Sequence, residues 1–116
     1  GRTDITNLVS NSGVVASDVT GVGTARYQIC STQYGGDKGI FAYGTTGSLT
    51  AVSNLVSNAG VVATDTTGVG TARWGVAACE YGGDKGIFGY GRVFTSETAV
   101  TNLVSNTAGS SSVGNS

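Results

Sequence analysis

The residues able to take part in acid–base or nucleophilic chemistry are few, and they recur in matched positions. The chain of 116 residues contains no His, and Asp18 precedes Arg26 by the same spacing as Asp65 precedes Arg73. An active site needs a nucleophile or an acid–base set that works together, whereas one residue type repeated in every unit is typical of a scaffold. We therefore predict no enzymatic activity, with each Asp capping a turn and each Arg bonding carbonyl groups or an acid between repeats. The alternative is a polar site at one mouth of a ring.

A second set of charged residues follows the sequence YGG in each half of the chain. These are Asp37 with Lys38, and Asp84 with Lys85. An Asp in a Gly-rich turn bonds its own backbone, so the structural prediction is a turn whose Lys stays solvated. The alternative is a charged rim around a ligand.

Aromatic residues are the third candidate for function. Tyr27 and Trp74 occupy the same position, directly after the Arg of each unit. Their rings either pack between sheets, with polar groups at the wet end, or form a platform for a sugar. The two halves differ most in segments 27–33 and 74–80, which fits either relaxed packing or contact with a ligand. The candidate ligand-binding residues are Tyr27, Trp74, Arg26, Arg73, Gln33 and Glu80.

The two cysteines, Cys30 and Cys79, do not occupy equivalent positions in the two units. Stacked sheets lie about 10 Å apart, and a disulfide needs Cα atoms within about 7 Å. We therefore predict two free, half-buried thiols. Two cysteines without any His do not make a zinc site, and no cofactor motif is complete.

Charge and hydropathy exclude several partners. Charged residues make up 11% of the chain and the net charge is -1, without an acidic or basic tail. We therefore expect no nucleic-acid partner, and no apolar run approaches the roughly 18 residues that cross a membrane. Frequent Gly and recurring Val, Ile, Phe and Tyr predict short strands joined by tight turns rather than helices.

An internal repeat positions all of these residues. The sequence NLVSN begins at Asn7, Asn54 and Asn102, and segments 7–44 and 54–91 agree at 27 of 38 positions. A period of about 40–50 residues with four short strands is typical of propeller blades. In the second unit the strand candidates are 73–81, 86–90 and 99–106, with 60–64 from the linking segment.

The repeats resemble the kelch repeat of β-propellers. Arg26 and Arg73 match the Arg that precedes the first strand of a kelch blade, and IFAYG (40–44) and IFGYG (87–91) match its second strand. Kelch-like repeats of phage, viral or environmental proteins are similar as well. The resemblance implies an all-β propeller built from four-stranded blades.

Residues 1–106 then form about two kelch-like blades, out of phase with the blade boundary. The repeats are 7–53 and 54–101, with a partial third at 102–106, and 107–116 is a flexible Gly/Ser-rich tail. Two blades do not close a ring, because propellers have about 4–8. We predict a homo-oligomer, with a trimer giving six blades, and one NLVSN strand pairing across the chain boundary. Another closed ring, a filament and a piece of a longer array are the alternatives.

Two functions follow from this architecture. The first is a self-assembling structural protein, for which a virion or an extracellular surface is a suitable setting. The alternative is a lectin-like propeller that binds glycans or a protein partner at repeated sites.

Overall fold

The chain folds into short antiparallel strands, and no helix is present among the residues described. The computed structural model describes residues 1–107 and the backbone of residues 114–115. The strands are β1 (Cys30–Tyr34), β2 (Lys38–Ala42), β3 (Ser53–Val56), β4 (Ala77–Tyr81), β5 (Lys85–Gly89), β6 (Arg92–Val93), β7 (Ser96–Glu97), β8 (Thr101–Val104) and β9 (Gly114–Asn115).

These strands form three small sheets in the described part of the chain. The first sheet has the order β1-β2-β3, the second has β4-β5-β8-β9, and β6 and β7 form a separate pair. The YGGDKG turns explain why β1–β2 and β4–β5 pair in equivalent registers. Gly35 and Gly36 in the first turn, and Gly82 and Gly83 in the second, have φ between 64° and 83°, a region that glycine adopts without steric cost.

Two further hairpins share one backbone pattern. The N-terminal hairpin is residues 5–19, and the second hairpin is residues 53–66, which includes β3. In the N-terminal hairpin the amide of Ala16 donates to the carbonyl of Leu8 at 2.8 Å, and in the second hairpin Ala63 donates to Leu55 at 2.8 Å. The second hairpin therefore adds a fourth segment to the first sheet, through the bridge between Val56 and Val62.

The core lies between the first and second sheets, where β1 packs against β4 and β5. Tyr34 and Ile40 of the first sheet are each 1% exposed, and Phe88 and Val104 of the second are each 0% exposed. The ring of Phe88 meets the Tyr43 ring edge-on, with centroids 5.4 Å apart. Burial of these apolar side chains is the main favourable contribution to stability.

A glycine lets the two sheets approach closely. A Cβ added at Gly86 of β5 would lie 2.8 Å from Cγ2 of Thr32 on β1. Because real side chains do not tolerate that distance, any larger residue at Gly86 would push the sheets apart.

The prediction of an all-β protein is confirmed, with differences in detail. The described residues form stacked open sheets and not a closed ring. In the segment 60–64, strand pairing is limited to the bridge at Val62, and residues 91–97, which lie between two of the strand candidates, form β6 and β7. Most of the predicted tail, 107–116, lies outside the described residues, and its Gly114–Asn115 pairs with β8 as β9.

Candidate functional site

The two aromatic residues predicted to bind a ligand line one groove. Tyr27 is 51% exposed and lies with Trp74 and Phe94 in a groove of about 340 Å³, which Gln28 and Leu49 also line. Aromatic faces beside amide and hydroxyl groups are typical of surfaces that stack on sugar rings.

The backbone holds Tyr27 and Trp74 in equivalent ways. The amide of Tyr27 donates to the carbonyl of Thr45 at 3.1 Å, and the amide of Trp74 donates to the carbonyl of Arg92 at 3.1 Å. Both residues are therefore fixed just before the first strand of their sheets. Their separation from the core explains why they can differ between the two units.

Phe94 was not expected at this site. It lies in the turn between β6 and β7, is 79% exposed and has a φ of 29°. The position equivalent to it in the first unit is Gly47, so no repeated pattern pointed to an aromatic residue there. Gln28 also departs from the repeat, because it has a φ of 57° where the second unit has Gly75.

Arg26 is buried and does not line the groove. Its Nε donates to the carbonyl of Tyr43 at 2.9 Å, its Nη1 to the carbonyl of Thr24 at 2.9 Å, and its Nη2 to Oδ1 of Asn54 at 2.8 Å. Burial lowers the pKa of Arg26, and the carboxylate of Asp65 opposes that change. Arg26 therefore ties the segment before β1 to β3.

The acidic residue beside Arg26 is Asp65, although Asp18 is closer to Arg26 along the sequence. Asp65 accepts hydrogen bonds from Asn54 Nδ2 at 2.9 Å and from both the amide and the hydroxyl of Thr24. Partial burial raises the pKa of Asp65, but these hydrogen bonds and the charge of Arg26 outweigh it, so the pKa lies below its usual value.

Arg73 repeats this arrangement only in part. Its Nε donates to the carbonyl of Tyr90 at 2.8 Å and its Nη1 to the carbonyl of Thr71 at 2.9 Å. The side chain is 0% exposed, yet its Nη2 has no hydrogen-bond partner among the residues described. Asn102 corresponds by sequence to Asn54 in this unit, and it pairs with Asn115 of β9, whereas Asn54 bonds Asp65.

The N-terminal hairpin contains an Asn–Asp pair that is equivalent to Asn54 and Asp65 of the second hairpin. Asn7 Nδ2 donates to Oδ1 of Asp18 at 2.8 Å and to the carbonyl of Ala16 at 3.1 Å. Asn54 makes the same two contacts with Asp65 and Ala63. Asn7 and Asp18 are exposed, whereas Asn54 is buried. The hairpin is therefore shaped like the outer half of the first sheet, without the Arg that would cover it.

The Asp-Lys pairs lie in the turns at the ends of the sheets. Asp37 accepts from Lys38 at 3.1 Å and from Asn58 Nδ2 at 3.0 Å, and the Lys38 ammonium lies 5.8 Å from the Tyr34 ring centre. The hydrogen bond from Asn58, with that from Lys38, lowers the pKa of Asp37. The Asp therefore ties its turn to the next hairpin as well as to its own neighbour.

The second Asp-Lys pair repeats these contacts. Asp84 accepts from Lys85 at 2.8 Å and from Asn106 at 2.6 Å, and the hydrogen bond from Lys85 is the larger cause of the lowered pKa of Asp84. The same hydrogen bond raises the pKa of Lys85. The network is local, and it contacts no residue of the aromatic groove.

Gln33 and Glu80, the remaining predicted ligand residues, lie elsewhere. Both are exposed. Gln33 lines an open cavity of about 390 Å³ between the N-terminal hairpin and the first sheet, together with Leu8 and Gly39. The predicted site is therefore divided: Tyr27 and Trp74 share a groove, the two Arg are buried, and Gln33 belongs to a different cavity.

The two sheets differ in what covers their equivalent faces. The face of the first sheet that carries Tyr34 and Ile40 lies against the second sheet, and each of these residues is 1% exposed. In the second sheet the equivalent residues are less covered: Tyr81 is 37% exposed, and Ile87 is half-buried. We call this second surface the open face; Cys79 and Leu103 also lie on it.

Both cysteines are free, as predicted, but only one is half-buried. Burial raises the pKa of the Cys30 thiol. Cys79 is exposed, and the expectation of burial is wrong for it, because no other sheet of the described chain lies over the open face. Among the described residues, no group of three His, Cys, Asp or Glu side chains could hold a metal ion.

Comparison with protein-family models and with curated proteins finds no match to this chain. Within the described residues, no helix could span a membrane. The fold and the groove together define an all-β protein of stacked antiparallel sheets with an exposed aromatic surface.

Proposed function

We propose that this chain is a non-catalytic structural protein that assembles with copies of itself through its repeated sheet faces. The observation that carries the proposal is the contrast between Ile40, which the second sheet covers, and Ile87, which is equivalent to it and lies on the open face. The same side chains in the same register favour the same kind of cover. A further copy of the chain is the partner that supplies it.

The opposite end of the stack supports this assembly. Gly86 of the second sheet is in close contact with Thr32, whereas the equivalent Gly39 of the first sheet borders the open cavity of about 390 Å³. One end of the stack therefore exposes the open face. The other end exposes the Gly39 surface of the first sheet, which is equivalent to the Gly86 surface that covers the first sheet within one chain. Contacts between unlike ends close into a ring or continue as a fibre. Of these, a propeller-type ring is the arrangement we propose, with three chains supplying about six blades.

Native mass spectrometry across a concentration series tests this function. We expect oligomers, with the trimer as the main species. Ile87→Lys places a charge on the open face and should shift the population to monomer. Val61→Lys is the matched control, because Val61 is 65% exposed at the tip of the second hairpin. A monomer at every concentration, or equal behaviour of the two variants, would contradict the proposal.

Sugar binding is the second candidate function, and the shared groove of Tyr27, Trp74 and Phe94 favours it. Trp74 is the single Trp of the chain, so its fluorescence reports on the groove directly. We expect neutral oligosaccharides to change this emission, and Phe94→Ala to weaken binding without loss of fold. Tyr90→Ala is the control, because Tyr90 is 62% exposed and does not line the groove. Absence of any response across a glycan panel would remove this candidate.

A further inference from the structure

We propose that copies of this chain are joined by strand exchange: the N-terminal hairpin of one copy takes the place of β8 and β9 beside β5 of another. This inference rests on the proposed self-assembly and specifies its contact. It identifies the partner as a second copy of the chain and the docking site as the edge of β5 together with the buried Arg73.

Sequence identity makes the exchange possible without any change of register. Residues 6–11 and 101–106 have the same sequence, TNLVSN. In β8, Asn102 pairs with Phe88 and Leu103 pairs with Ile87. The hairpin of a second copy would therefore place Asn7 opposite Phe88 and Leu8 opposite Ile87.

The N-terminal hairpin has a free edge where this pairing would occur. In the first sheet β3 is paired on one side with β2 and on the other with residues 62–66. The equivalent strand of the N-terminal hairpin is bridged only to Val15 and Val19 in the described chain. An unpaired strand edge is a template for adding a strand from another chain.

The polar contacts favour the hairpin over β8 and β9. Arg26 lies beside a carboxylate, Asp65, which also accepts two hydrogen bonds from Thr24. In the unit of Arg73, the residue paired with Asn102 is Asn115, which is not an acid, and the buried Nη2 of Arg73 is unpartnered among the described residues. The hairpin carries Asp18 in the position that corresponds to Asp65. Exchange would therefore give Arg73 the surroundings that Arg26 already has, and it would remove the destabilising effect of a buried charge that has no opposite charge beside it.

The exchange also accounts for the open cavity. In the second copy, the hairpin leaves a space of about 390 Å³ over Gln33 and Gly39 of the first sheet. Strands β4 and β5 of the first copy, paired to that hairpin, would lie over this space as they lie over Thr32 and its neighbours within one chain. Each chain then contributes one complete four-stranded sheet and half of each of two sheets that it shares with other copies.

Engineered disulfides distinguish the two pairings. In a chain with Cys30→Ser and Cys79→Ser, we would combine Leu8→Cys with Ile87→Cys, and as the matched control Leu103→Cys with Ile87→Cys. Residues opposite each other in antiparallel strands have Cα atoms about 4.5–5.5 Å apart, within reach of a disulfide. On mild oxidation we expect the first variant to form covalent multimers on a non-reducing gel, and the control to form little intrachain disulfide.

The outcomes separate this inference from the proposed function. Oligomers by native mass spectrometry, with an intrachain disulfide in the control and no multimers from the first variant, would overturn strand exchange while self-assembly stands. A monomer by native mass spectrometry would overturn both.

Charge neutralisation provides a second test on the native cysteine background. Asp18→Asn should raise the concentration at which oligomers dissociate by about tenfold or more, because charge-assisted hydrogen bonds across the exchanged contact are weakened. Glu97→Gln removes the same charge from a residue that pairs with Arg92 in the small β6–β7 sheet. Equal effects of the two variants would overturn the role of Asp18 and with it the exchange.

Discussion

The guanidinium carbon of Arg73 lies 4.4 Å from the centre of the Tyr43 ring, so an Arg of the second repeat covers an aromatic residue of the first. The same Tyr donates its hydroxyl to the carbonyl of Val69 at 3.2 Å, and the amide of Gly44 donates to the carbonyl of Arg73 at 3.0 Å. The residues that organise each sheet therefore also join one sheet to the next.

Truncating Tyr43 should separate its two contributions. Tyr43→Phe keeps the ring and loses one hydrogen bond, so we expect a loss of about 1 kcal/mol in the free energy of unfolding. Tyr43→Ala also removes the ring from the core, and its cost should be about 3–5 kcal/mol. Urea denaturation measures both values. Similar losses for the two variants would mean that the stacked ring contributes little.

The two Arg residues should differ in their sensitivity to replacement by Lys. Lys lacks the planar fork of donors that Arg presents, and Arg26 uses three nitrogens whereas Arg73 uses two among the described residues. In the monomer, Arg26→Lys should cost about 1 kcal/mol more than Arg73→Lys. Urea midpoints at low protein concentration provide the comparison. A larger loss of stability for Arg73→Lys than for Arg26→Lys would contradict the conclusion that Arg73 makes fewer hydrogen bonds than Arg26.

The lowered pKa of Asp65 predicts a specific acid sensitivity. Because this pKa is lower in the folded chain than in the unfolded chain, where it is about 3.9, the ionised Asp65 stabilises the fold fully only above that value. The contribution is lost as the pH falls through the lower, folded pKa. Asp65→Asn should reduce stability near neutral pH and flatten the decline below about pH 5.

Urea midpoints between neutral pH and strong acid test the role of Asp65. Glu97→Gln is the control, since Glu97 lies on the surface in an ion pair with Arg92. An unchanged acid profile in Asp65→Asn would show that other carboxylates determine the acid response.

The two thiols should report on the assembly. Cys79 is exposed, whereas burial raises the pKa of Cys30, so a thiol reagent near pH 8 should modify Cys79 first because the thiolate is the reactive form. Cys79 lies on the open face, so oligomers should protect it. Labelling of the Cys30→Ser variant across a dilution series measures this protection. Equal labelling rates in monomer and oligomer would place the contact elsewhere.

Much of the local structure was predictable from residue types and spacing. The Gly pairs of YGGDKG require positive φ, and that requirement fixes the turns that join β1 to β2 and β4 to β5. The groove was predictable only in part: Tyr27 and Trp74 carried an aromatic signal in equivalent positions, but Phe94 replaces a Gly and belongs to no pattern.

The long-range pairing of charges was not predictable. Asp18 lies eight residues before Arg26 in the sequence, and nothing in this spacing indicates that Arg26 instead lies beside Asp65. Antiparallel pairing of β2 with β3 is what brings Asn54, and Asp65 beyond it, back to the start of the sheet.

The sequence by itself determined the repeat, the strand periods and the turns, because each depends on the backbone preferences of a few adjacent residues. Only the tertiary structure decided which of two equivalent faces is covered, since Ile40 and Ile87 lie in matching sequence but, within the described residues, only Ile40 has a second sheet over it. Burial depends on what packs above a residue, and identical segments acquire different surroundings when their positions in the stack differ.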